Sequence, residues 1–146
     1  MRAPGLSVLP EAEIACELAS VHAMHDPTEG GIATALHELA DAANVGLRID
    51  RSRIMMLPEG RILCDAFGLD PLGTIASGAL LLTLAPAEAG VVIHALARES
   101  IDCHFIGQVV PREQGVMLVD GARQEPLPIF PQDEITRLFA EGAPRT

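Results

Sequence analysis

The chain has 146 residues, of which 49% are hydrophobic and 3% aromatic, and it carries 20 acidic against 10 basic residues for a formal net charge of −10. The length and apolar content predict one folded domain with an aliphatic core, since the sequence contains no Trp and no Tyr. The acidic surplus argues against nucleic acid and membrane surfaces as partners, because both repel negative charge.

No secretory signal pattern opens the sequence, and its longest apolar stretch, residues 79–85, is too short to cross a bilayer. We therefore expect a cytoplasmic protein. The three cysteines are odd in number and widely spaced, which indicates neither a disulfide framework nor a thiolate zinc site. They are expected to be core residues or free thiols.

Apolar spacing and the positions of Pro and Gly predict the elements in chain order. The first half is predicted to contain a surface helix, a short strand, a long helix and a half-buried strand, over residues 11–19, 21–24, 32–43 and 46–50. The second half is predicted to contain a helix, a central strand buried on both faces, a further helix and a hairpin, over residues 58–68, 74–85, 87–98 and 101–119.

The end of the sequence changes character, because three prolines between 126 and 131 forbid regular structure until Asp133 caps a last short helix. Helices alternate with strands and a hairpin is predicted, so the fold class is α+β, a mixed β-sheet with helices packed on it in layers. A single domain is expected over 1–146, with an ordered core over about 5–139.

The stretch Met24 to Gly31 combines a helix-start signal with two glycines. Asp26 is predicted to be the N-cap, Pro27 has the φ favoured at the first helical position, and Glu29 completes a capping-box spacing. This leaves Gly30 and Gly31 unexplained, because glycine inside a helix costs about 1 kcal/mol relative to alanine. Either the glycines bare backbone N–H groups for a phosphate or carboxylate, or they allow close packing, or the helix begins later.

Two other features carry alternative interpretations. Ser77-Gly78 precedes the predicted central strand, where a glycine marks either a bulge or the close approach of a ligand or of another backbone segment. His22 and His25 lie beside Asp26 and raise the hypothesis of a metal enzyme. The His-x-x-His spacing lacks a third ligand fixed by the local sequence, so we predict turn and surface histidines and no metal site.

Several motifs in the same order make the sequence similar to a known family. The runs 24–31, 32–40 and 45–50 resemble the C-terminal domain of AIR synthase-related proteins. This superfamily includes aminoimidazole ribonucleotide synthetase, selenophosphate synthetase, thiamine-monophosphate kinase and hydrogenase expression/formation proteins. Further matches follow at 67–72, 77–81, 106–109 and 133–139, so that the resemblance extends from about Gly5 to Phe139.

The resemblance implies that an N-terminal domain, absent from this sequence, supplies the metal and nucleotide ligands and most of the homodimer contact. ATP and Mg are thereby implied for the complete two-domain architecture, and no cofactor for this domain alone. The positions that match the family's phosphate-facing loop and its neighbour are Asp26, Thr28, Gly30, Gly31, Ser77 and Gly78. Hydrogenase-maturation members tend to carry Arg where Glu29 stands, and a carboxylate there repels a phosphate unless a cation intervenes.

The leading hypothesis is therefore a C-terminal domain that contributes a phosphate-facing Gly-Gly helix start to an ATP-dependent site. The expected partners are an N-terminal AIR synthase-like domain or chain, a small phosphorylated ligand and further copies of the same chain. Catalysis by this chain alone is not expected, and no catalytic residue is assigned. The alternative hypothesis is a non-catalytic oligomeric binding or regulatory module, in which other copies cover the apolar surface left by the absent domain.

Overall fold

The computed structural model describes residues 5–140, and this part of the chain contains five α-helices and six strands. The helices are α1 to α5, over Leu9–Leu18, Gly31–Ala43, Pro58–Phe67, Pro86–Arg98 and Arg137–Ala140. The strands are β1 to β6, over Ala23–His25, Gly46–Asp50, Leu81–Thr83, Gly107–Val110, Val116–Asp120 and Arg123–Pro126. Helices packed on a mixed sheet confirm the predicted α+β class.

The four predicted helices in the body of the chain are confirmed, and their ends follow local signals. Pro58 begins α3, and Gly68 ends it in the left-handed conformation. Asn44, with φ 56°, ends α2 in the same way, because the left-handed residue lets its N–H reach the last carbonyls of the helix. Pro86 begins α4, one residue before the predicted start.

The main sheet has the strand order β4-β2-β5-β6. Strand β2 is antiparallel to β4 on one side and parallel to β5 on the other, so the sheet is mixed. Strands β5 and β6 form an antiparallel hairpin in which Asp120 pairs with Arg123 across the turn at Gly121. The tight turn follows from Gly121, whose φ of 59° is readily adopted only by glycine and a few polar residues.

The predicted hairpin between residues 101–110 and 116–119 is wrong. Strands β4 and β5 lie on opposite sides of β2 and do not pair with each other. The cause is the alternation in β2, which buries Leu47 and Ile49 and makes this strand the centre of the sheet. Strand β6 was not predicted, because Pro126 lies at its end, where an edge position tolerates the missing N–H.

The predicted central strand over 74–85 is also wrong. Within this range only Leu81–Thr83 forms a strand, and this strand, β3, pairs antiparallel with β1 in a separate two-stranded sheet. The residues before it form turns, in which the Thr74 hydroxyl donates to the Asp70 carbonyl and Ala79 N–H donates to the Ala76 carbonyl. An apolar run of this length therefore contains a loop as well as a strand.

Two apolar clusters form the core. In the larger, α2 packs on one face of the main sheet, with buried residues that include Ala33, Leu36, Leu39, Leu47, Ile49, Leu72, Leu118 and Leu127. In the smaller, α1 packs against α4 through Ala15, Val92 and Leu96. The predicted stripe on α2 supplies Leu36, Leu39 and Ala40 to the larger cluster.

Within residues 5–140, no helix is both long and apolar enough to cross a membrane.

All three cysteines are free, with Cys64 buried and Cys16 exposed. Burial raises the pKa of the Cys103 thiol above its ordinary value, which disfavours a reactive thiolate at neutral pH.

Candidate functional site

The structure brings together the two segments that contain the sequence-predicted site residues. The glycine turn, residues 26–31, connects β1 to α2, and the facing loop, residues 70–78, lies against it. The Thr28 carbonyl accepts hydrogen bonds from Gly31 N–H and from Ala76 N–H, each at 3.2 Å. Thr28 and Ser77 are therefore neighbours across this junction, and both side chains are exposed.

The predicted capping box is wrong. Helix α2 begins at Gly31, its N-cap is Gly30, and no side chain of the N-cap bonds to the helix. The Asp26 side chain is 71% exposed, and its carboxylate lies 3.8 Å from Nδ1 of His25. The alternative that the helix begins later than Asp26 is thus confirmed.

Both glycines are required by the backbone geometry. Gly30 and Gly31 have φ values of 75° and 64°, a region that L residues rarely adopt. A Cβ on Gly31 would lie 2.5 Å from the Leu72 carbonyl oxygen and 2.6 Å from that of Thr74. The alternative of close packing is therefore confirmed, since the facing loop passes directly over Gly31.

A buried carboxylate closes the start of α2. Asp133 is 6% exposed, and its Oδ2 accepts a hydrogen bond of 2.8 Å from Gly30 N–H. Its Oδ1 accepts from Ile135 N–H at 2.9 Å, which confirms the predicted capping of the last helical segment. A carboxylate at the positive end of a helix dipole, with two N–H donors, is a stabilising arrangement.

The residues after Asp133 continue the attachment, and we name 133–137 the C-terminal clasp. Glu134 N–H donates to the Gly73 carbonyl at 3.0 Å, and the Glu134 carboxylate accepts from Asp70 N–H at 2.9 Å. Arg137 donates to the Glu134 carboxylate at 2.7 Å. The clasp therefore holds the glycine turn and the facing loop in one arrangement.

The backbone donors at this helix start are largely used inside the chain. Gly30 N–H donates to Asp133, Gly31 N–H to the Thr28 carbonyl, and Ala33 N–H to the Leu72 carbonyl. The groups that the turn presents to solvent are the exposed side chains of Asp26, Thr28 and Glu29. The surface of the site therefore offers hydroxyl donors beside carboxylates.

The histidines near the turn have partners inside the chain. His25 Nε2 lies 2.7 Å from the Glu38 carboxylate on α2, and His37 Nε2 lies 3.2 Å from the Leu127 carbonyl. His22 is exposed. Among residues 5–140, no group of three His, Cys, Asp or Glu side chains is placed to hold a metal ion.

Comparison with known proteins assigns the family. Residues 7–120 match the family described as AIR synthase related protein, C-terminal domain. The chain belongs to this family. This AIR synthase-related domain is 37% identical over 122 residues to a carbamoyl dehydratase HypE from Rhizobium leguminosarum bv. viciae, covering 75% of the chain and 35% of that relative. The domain thus spans about a third of the length of this relative.

Solved structures agree with the family assignment. The domain superposes on E. coli HypE, a hydrogenase maturation protein, with a TM-score of 0.78 and 28% identity, covering 90% of this chain and 42% of that one. A hydrogenase maturation protein HypE in complex with ATP has the same fold, with a TM-score of 0.73 and 24% identity over 83% of this chain and 39% of its own.

Because the facing loop lies close to Gly31, adding one methyl group at this position is expected to lower stability strongly. We expect Gly31→Ala to lose at least about 2 kcal/mol of unfolding free energy, because the methyl meets two backbone carbonyls at a positive φ. The matched control is Gly90→Ala in α4, where an added Cβ has open space and a gain of about 0.5–1 kcal/mol is expected. Urea denaturation followed by circular dichroism measures both, and equal effects of the two substitutions would contradict the packing argument.

Substitutions of Asp133 are expected to lower stability by an amount that depends on the acceptor oxygens removed. We expect Asp133→Ala to lower the free energy of unfolding by about 2 kcal/mol or more, because Gly30 N–H is left buried without an acceptor. Asp133→Asn retains one acceptor oxygen and is expected to lose less. Asp102→Ala, which removes an exposed carboxylate, serves as the control and is expected to lie within about 0.5 kcal/mol of the parent. An Asp133→Ala variant as stable as the control would refute the capping role of this residue.

Proposed function

We propose that this chain acts as the C-terminal part of a two-domain, ATP-dependent protein, in which the glycine turn and Ser77-Gly78 face the phosphates of a nucleotide or of a small phosphorylated ligand. The juxtaposition of Thr28 and Ser77, through the Ala76–Thr28 hydrogen bond, carries this proposal. The ATP complex of a HypE with the same fold supports the choice of nucleotide. A cytoplasmic location is part of the same proposal.

Each residue of the site has a separate role in this proposal. Thr28 and Ser77 donate hydroxyl hydrogen bonds to phosphate oxygens. Gly30 and Gly31 give the turn the left-handed backbone that lets the facing loop lie against it, and Gly78 keeps the facing loop without a side chain next to Ser77. The amides of Gly30 and Gly31 reach a phosphate only by exchanging their present acceptors, Asp133 and Thr28.

The acidic side chains require a cation in this arrangement. Asp26 and Glu29 are exposed at the turn and repel a bare phosphate. In the proposed assembly, Asp26 would contact a Mg²⁺ ion bound by the N-terminal domain, directly or through water, and the ion would supply the positive charge that reduces this repulsion. ATP therefore binds with its metal to the assembled two-domain site, and this domain alone is not the catalyst.

The exposed apolar face of α3 supports an N-terminal partner. Leu57, just before the helix, is 70% exposed, and Ile62, Leu63 and Phe67 are 67%, 57% and 57% exposed. A contiguous apolar surface of this kind is typical of an interaction site. Gly68, at the end of α3, accepts a hydrogen bond from Arg137, so the end of this helix lies beside the clasp that holds the glycine turn. A domain that covers α3 is therefore well placed to close over the glycine turn.

The same face supports the alternative of a non-catalytic oligomeric module. If copies of this chain cover α3 for one another, the apolar surface is buried without an N-terminal domain. The oligomeric state of the isolated chain and its affinity for an N-terminal domain distinguish the two proposals.

Removing both hydroxyls tests the phosphate contacts. The chain is mixed with the separately expressed N-terminal part of the Rhizobium leguminosarum relative, and Mg-ATP binding is measured by calorimetry. We expect the Thr28→Val, Ser77→Ala double variant to bind at least about tenfold more weakly, because each lost hydrogen bond to a charged group is worth about 1.5–3 kcal/mol. Ser100→Ala, far along the chain in an exposed turn, is the control. Unchanged affinity in a folded double variant would refute the site.

Substitution on α3 tests the partner. We expect Leu63→Ser to weaken association with the same N-terminal part at least about tenfold, since a central apolar contact is lost. Asp65→Ser, at an exposed polar position of the same helix, should leave association unchanged. Sedimentation of the chain alone is the second measurement. If the chain alone is a dimer that Leu63→Ser dissociates, and if the same substitution leaves association with the N-terminal part unchanged, the oligomeric module is favoured.

A further inference from the structure

Strand β4 is an open edge of the main sheet. Among the described residues, β4 has a strand partner on one side only, which is β2. The opposite edge, β6, carries an Arg123–Glu125 ion pair and ends in Pro126, features that discourage pairing with another strand. Strand β4 reads Gly-Gln-Val-Val, without charge or proline, and Val109 is 49% exposed. The sheet is thus protected at one edge and available at the other.

The register shows which backbone groups β4 presents to solvent. Asp50 N–H donates to the Ile106 carbonyl on the β4 side, whereas Leu47 N–H donates to the Gly115 carbonyl on the β5 side. Because directions alternate along a strand, Arg48 also bonds toward β4, where its register partner is Gln108. Gly107 and Val109 therefore direct their N–H and C=O groups away from β2, toward the open edge.

The sheet face next to this edge is basic. Arg48 is exposed beside Gln108, and a cleft of about 310 Å³ lies along β4, lined by residues that include Arg48, Asp50, Arg53, Phe105 and Gln108. The Arg53 guanidinium lies 5.9 Å from the Phe105 ring centroid and 3.2 Å from the Asp50 carboxylate. Within residues 5–140, Arg48 has no ion-pair partner. Two arginines and one carboxylate leave this cleft positive, in a chain with a net charge of −10.

We propose that the β4 edge binds an extended segment of a partner protein as a fifth strand of the sheet, and that this segment alternates acidic and apolar side chains. Side chains of an added strand alternate between the two faces of the sheet. Those on the open face share the face of Arg48 and Arg53, with Gln108 between, and are acidic. Those on the α2 face lie beside Val109 and are apolar.

Charge favours a different protein over a second copy of this chain. Antiparallel pairing of two β4 strands about a two-fold axis places the same face of both sheets on one side. The positive clefts of the two copies then lie on the same face of the joined sheet, and like charges on that face oppose the pairing. An acidic segment has the complementary charge and the same backbone hydrogen bonds.

Binding of a defined peptide tests this proposal. The probe is a fluorescein-labelled peptide of alternating glutamate and valine, and its dissociation constant for the full chain is measured by anisotropy. We expect Val109→Pro to weaken binding at least about tenfold, because the outward N–H is lost while the bonds between β4 and β2 remain. Val109→Thr, which retains the N–H, is the matched control and should bind within about twofold of the parent.

Two further measurements address charge and folding. The double variant Arg48→Gln, Arg53→Gln should bind the glutamate peptide at least about tenfold more weakly, and its binding should depend less on salt. A peptide N-methylated at its edge-facing valines should bind at least about tenfold more weakly to the unmodified chain, which tests the edge even if Val109→Pro does not fold.

Three results would overturn the proposal. The first is that folded Val109→Pro binds the glutamate peptide as tightly as the parent chain does, or that the parent chain binds the N-methylated peptide as tightly as the unmodified one. The second is equal binding of a peptide that alternates lysine and valine. The third is a dimer of the free chain that Val109→Pro converts to a monomer, which would make a second copy the occupant of this edge.

Discussion

The hydrogen bond from Gly30 N–H to the Asp133 carboxylate closes the helix start at which three segments of the chain converge. Burial of a carboxylate is costly unless donors surround it, and here two N–H groups and the positive end of α2 meet that need. Glu134 then attaches the same clasp to the facing loop, and Arg137 attaches it to Gly68 at the end of α3. The glycine turn keeps its shape because this internal anion holds it.

This arrangement changes how the two glycines are interpreted. A pair of glycines before a helix is a familiar sign of a bound phosphate. In this domain, the left-handed backbone and the carbonyls over Gly31 already require both of them. Their presence alone therefore says little about a ligand, and the exposed hydroxyls of Thr28 and Ser77 carry more of the functional argument. The family assignment rests on a match over residues 7–120, and not on this pair.

The sequence predicted the elements whose signals are local. Pro58, Gly68 and Asn44 mark helix ends through their own backbone preferences, and the apolar stripe of α2 is visible in its spacing. Strand pairing was not predictable in this way, because nothing in residues 101–119 indicates that β2 inserts between its two strands. For Asp133, the bond to the neighbouring Ile135 was predictable, whereas the bond to Gly30 spans 103 positions and leaves no trace in either local sequence.

That same separation has a consequence for biosynthesis. During translation, the strands and helices from β1 to β4 leave the ribosome before Asp133 does, and until then the start of α2 lacks its anion. Closure of so long a loop also carries an entropic cost that only the completed contact offsets. The start of α2 therefore gains its carboxylate partner only after the intervening residues 31–132 have been synthesised.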